Sequence, residues 1–92
     1  MILRIMAEGQ FEMSDEAIDQ LNELDEQLVS AVASGDEESF RRALVALHDR
    51  ILELGHPLPP DHLGPSDLVL PPADATLVEV RGLLGDEGLI PG

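Results

Sequence analysis

The chain contains no cysteine, lysine, tryptophan or tyrosine, and Phe11 and Phe40 are its only aromatic residues. Each absence removes a class of function. Without cysteine there are no disulfides, no thiolate nucleophiles and no Cys-based zinc sites. Without aromatic platforms the chain is poorly suited to stacking single-stranded bases. Nineteen acids against five arginines give a formal charge of −14. Nucleic acid and anionic lipid, which are held chiefly by Lys and Arg, would repel such a chain. No hydrophobic run approaches the length of a membrane span. The apolar opening Met1–Ala7 is interrupted by Arg4 and stopped by Glu8 and Gly9, too early for a signal-peptide core. The expected location is the cytoplasm.

What remains is 92 residues, 43% of them apolar, enough for one domain around an aliphatic core. The acids keep such a domain soluble and steer any basic partner toward it.

Residues 1–13 have the pattern of a β-hairpin. With Gly9 in the left-handed position of a three-residue loop, Ile5 faces Phe11, Arg4 faces Glu12 and Leu3 faces Met13. That register collects Leu3, Ile5, Phe11 and Met13 on one side. Ser14 then caps a helix over about 15–34, with Asp15 and Glu16 in its first turn. Ile18, Leu21, Leu24, Leu28, Ala31 and Val32 form its apolar stripe, and Gly35 ends it. Asp36 caps a second helix over about 37–54. Phe40, Leu44, Leu47, Ile51 and Leu54 line its face, and Val45 with Leu52 add a strip wide enough to reach both helix 1 and the sheet. The short link makes an antiparallel αα-hairpin.

Residues 55–75 hold six of the seven prolines and read as an extended surface segment. Leu68–Leu70, bracketed by Pro65 and Pro71, fits only a short strand at a sheet edge. Thr76 and Glu79 have capping-box spacing for a third helix, about 76–84, with Leu77, Val80, Leu83 and Leu84 buried and Gly85 at its end. The apolar tail is expected to dock. The fold class is therefore α+β: a small antiparallel sheet, made of the hairpin and the strand near 68–70, packed on an αα-hairpin and a short third helix.

Candidate chemistry is sparse. His48, His56 and His62 are the only imidazoles, and the His56–His62 spacing matches no zinc pattern. His48 reads as an ordinary solvated histidine beside core Leu47. The acids of helix 1, among them Asp25, read as a solvated face. The serines sit mostly at helix ends, without a nucleophile elbow or a phosphate loop. No catalytic residue, metal ligand or cofactor is implied. The alternative is a metal-binding or small hydrolase-like protein built on the His56–His62 loop. The segment most open to a partner is the proline-framed apolar run, with Asp67, Leu68, Val69, Leu70 and Pro71 as candidate contacts.

Over all 92 residues the chain resembles the family of PspA-associated proteins, PspAA. The likeness rests on the opening Met1–Gln10, the paired acidic helices, the run Pro65–Leu77 and the ending Leu83–Pro91. The resemblance implies a role beside PspA, a coiled-coil, membrane-associated scaffold of the phage-shock envelope-stress response. It implies a non-enzymatic adaptor that binds this scaffold and meets the membrane only through it, at the inner face. The family has no catalytic motif to transfer.

Overall fold

The computed structural model describes residues 1–59, 61 and 64–83. The expectations for Leu84, Gly85 and the apolar tail lie outside the described residues, as does His62.

Strands β1 (Ile2–Ile5) and β2 (Gly9–Glu12) form the hairpin, two residues out of the expected register. Leu3 pairs with Phe11 and Arg4 with Gln10, so Arg4 does not face Glu12. The cause is the turn. The Glu8 N–H donates to the Ile5 carbonyl at 3.0 Å. Ala7, with φ of 76°, takes the positive φ that the third position of a type II turn requires. The reversal thus centres on Ala7 and not on Glu8. A two-residue slip leaves every side chain on its own face. Leu3, Ile5, Phe11 and Met13 are all buried.

Helix α1 (Asp15–Ser34) starts where the Ser14 hydroxyl accepts the Ala17 N–H at 3.1 Å. It ends in a Schellman arrangement: Gly35 (φ 73°) donates to the Val32 carbonyl and Asp36 to that of Ala31. Asp36 at once caps α2 (Glu37–Leu54) by accepting the Ser39 N–H at 3.1 Å. Bonds from the Ser39 amide, then from its hydroxyl, hold the Asp36 carboxyl below its ordinary range, so the cap stays anionic. One residue therefore closes α1 and opens α2.

The sheet is mixed, in order β3-β2-β1-β4. Strand β3 (His56–Pro57), within the stretch expected to run over the surface, pairs antiparallel with β2. Strand β4 (Leu68–Leu70) lies at the opposite edge and runs parallel to β1, where an antiparallel partner was expected. The chain leaves α2 beside the β2 edge and must reach the free edge of β1. On that way Gly64 and Ser66 lie over the face turned away from the helices. The Gln10 amide, buried on that face, donates to the Gly64 carbonyl (3.1 Å) and the Ser66 hydroxyl (2.7 Å). Arg4 also reaches the Ser66 hydroxyl at 3.4 Å.

The other face joins Leu68 and Leu70 to Leu21 and Leu28 of α1 and to Phe40, Leu44, Leu47 and Ile51 of α2 in one core. Helix α3 (Leu77–Leu83) begins with the expected box: Glu79 N–H donates to Thr76 Oγ1 (3.2 Å) and Thr76 N–H to Glu79 Oε1 (3.3 Å). Arg81 of α3 donates to the Val32 carbonyl at 3.1 Å. It supplies the cation that the last turn of α1 lacks.

Besides His48, four side chains stand elsewhere than their pattern indicates. Val45, Leu52 and Leu83 are exposed, and Asp25 is buried at 3% exposure. Asp25 completes the series 18, 21, 25, 28 and 32, which is the true core stripe of α1, and it has a partner there. The core has room for one narrow face of each helix, so the second strip of α2 turns outward.

Gly55 is where the exit of α2 is tightest. A Cβ there would lie 2.7 Å from Met13 Sδ and 2.8 Å from the Ile51 carbonyl oxygen, and the carbonyl cannot yield. Gly55→Ala is expected to cost about 1–3 kcal/mol. A lowered urea midpoint at constant slope checks it; an unchanged midpoint would contradict this packing.

Candidate partner-binding segment

A proline-framed apolar run presents a partner with whatever its own fold has not used. Asp67 is used fully. Its N–H donates to the Ile2 carbonyl at 2.8 Å, and its carboxylate accepts the Ile2 N–H at 2.8 Å. Leu68 and Leu70 point into the core, Leu70 with no exposed surface, and the Leu70 carbonyl accepts the Met6 N–H at 3.0 Å. Pro71 is buried. Asp67 is exposed as well, and Val69, 55% exposed, is the apolar side chain that faces outward, on an edge strand with β1 as its neighbour. Of the five candidate residues, Leu68, Leu70 and Pro71 are buried, Asp67 is exposed but tied to Ile2, and Val69 is exposed with its side chain unused.

The frame includes a histidine that the helical pattern had placed in solvent. His48 is 3% exposed, and its Nε2 lies 2.8 Å from the Pro71 carbonyl oxygen. A carbonyl only accepts, so Nε2 carries the hydrogen of that bond. Nδ1 is buried without a hydrogen bond, 3.7 Å from Glu8 Oε2. His48 therefore ties α2 to the corner between β4 and α3, with the hairpin turn beside it. Its place on the series Leu44, His48, Ile51 was the available signal, since both neighbours are core residues.

His56 does not join His48. His56 is exposed on β3 opposite Glu12, and Asp61 is exposed. Among the described residues no group of three or more His, Cys, Asp or Glu could hold a metal ion. No helix among them is long and apolar enough to cross a membrane.

The family model for PspAA, the PspA-associated protein, matches residues 1–92, and the chain belongs to that family. No curated protein and no solved structure matches it.

This geometry separates two neighbouring substitutions. Leu70→Asp puts an unpaired charge in the core and is expected to cost more than about 4 kcal/mol. Val69→Asp should leave the thermal midpoint within a few degrees. His48→Ala strips the Pro71 carbonyl of its donor and should cost about 1–3 kcal/mol. Denaturant titrations of the three variants check the order; a Val69 variant as unstable as the Leu70 one would contradict the placement of β4.

Proposed function

We propose that the chain is a non-enzymatic adaptor that binds PspA and adjusts its assembly or its access to the membrane during envelope stress. The observation that carries this reading is membership of the PspA-associated family along the whole chain. The physical character of the chain supports it. A formal charge of −14 and the absence of lysine disfavour direct contact with an anionic membrane, so engagement passes through the partner. The adaptor then works in the cytoplasm and is drawn to the inner face of the membrane by the scaffold, a coiled-coil protein. Within this reading the stretch Asp67–Pro71 contributes Val69 as its contact, while the other four residues hold the strand behind it.

The test is direct mixing. Purified chain and purified PspA, followed by light scattering and pull-down, are expected to form a complex with a Kd at or below about 10 μM. Scattering by PspA assemblies should change as the chain is added. No complex at that concentration would overturn the reading.

A further inference from the structure

We propose that the outward face of the αα-hairpin is a docking surface for one amphipathic helix that carries acidic residues beside its apolar seam. This rests on the reading of the chain as an adaptor and gives that role a surface and a partner chemistry. Val45 and Leu52 are 47% and 51% exposed. They lie seven residues apart on one side of α2, the spacing at which a second helix meets an apolar seam. Beside Val45 is a concavity of about 400 Å³ bounded by Arg41, Arg42, Ala46 and Asp49. Through Arg42 and Ala46 it continues into a groove of about 510 Å³ between the helices, with Gln27, Ser30 and Ser34 on the α1 side.

Charge identifies the occupant. In a chain with nineteen acids, the two longest stretches without one are 27–35 and 39–48. These are the two walls of this groove. Protein interfaces are depleted in Asp and Glu and enriched in Arg, and here Arg41 and Arg42 stand alone on acid-free walls. Arg42 pairs with Glu38, one turn away, and Arg41 forms no ion pair with a described residue. An incoming helix with acidic flanks supplies Arg41 with its counter-charge. Two carboxylates border the groove: Glu38, already paired with Arg42, and Asp49, which lines the concavity with Val45.

The test uses the full isotope-labelled chain and three probes. Two are synthetic amphipathic peptides of about four heptads with Leu at the a and d positions, one flanked by Glu and one by Lys. The third is purified PspA. At about 0.15 M salt, charges more than about 8 Å apart are screened, so local complementarity decides. The Glu-flanked peptide and PspA are expected to move the amide resonances of 27–34 and 41–52. The Lys-flanked peptide should bind at least about tenfold more weakly, and V45D/L52D should weaken binding of the Glu-flanked peptide and of PspA by at least about tenfold. Circular dichroism and unfolding midpoint should be unchanged in that variant, because both side chains are exposed. Undiminished binding by V45D/L52D overturns the surface. So do resonance changes confined to other elements, a Lys-flanked peptide that binds as well as the Glu-flanked one, or dimerisation of the free chain through this face. If the Glu-flanked peptide binds here and PspA does not, the surface stands and the adaptor reading falls.

Discussion

Asp67 grips both backbone groups of Ile2, and the placement of β4 and α3 depends on that grip. A three-residue strand between prolines cannot hold its own register, because few ladder bonds are available to it. The carboxylate of Asp67 adds a charge-assisted bond to the Ile2 N–H at the point where β4 begins. Once β4 is set parallel to β1, the Leu70 carbonyl meets the Met6 N–H and Leu68 and Leu70 fall into the core. The Pro71 carbonyl then lies against His48, and α3 starts close enough for Arg81 to reach Val32. The second half of the chain is thus attached to the first by a short series of polar contacts, each made possible by the one before.

The passage that brings the chain to Asp67 serves the same end. A sheet with helices on one face leaves its other face to water unless something crosses it. Here Gly64 and Ser66 lie over it, and the Gln10 amide bonds to both. A buried amide without partners would be destabilising, so Gln10 and the crossing residues need one another. Pro59 and Pro65 stiffen this passage and lower the entropy that ordering it costs.

What could be read in the sequence was what is local. Ser14, Gly35, Asp36 and the Thr76–Glu79 pair are cap signals whose partners lie within a few residues, and each makes the bond its position demands. The hairpin faces were legible because alternation survives a two-residue slip; its register was not, because the left-handed position fell on Ala7 instead of the glycine two residues on. The parallel pairing of β4 was hidden for a different reason. It depends on bonds between residues more than sixty apart, which no local pattern reports. Asp25 and His48 were missed because a polar residue on a helical stripe looks like an interruption, although the positions on both sides of it were apolar. In the candidate segment the apolar run itself was plain. Which of its residues the core would take was settled only by the strand's orientation, which buries Leu68 and Leu70 and presents Val69.

The same economy explains the outer face of α2. An aliphatic core of this size accepts one stripe from each helix, and the surplus apolar residues, Val45 and Leu52, are left outside. The dependence of the later elements on the Asp67 grip is open to direct test by amide hydrogen exchange in Asp67→Ala. Protection is expected to fall together across β4 and α3, while the amides of α1 and α2 keep theirs. Full protection of β4 in that variant would contradict it.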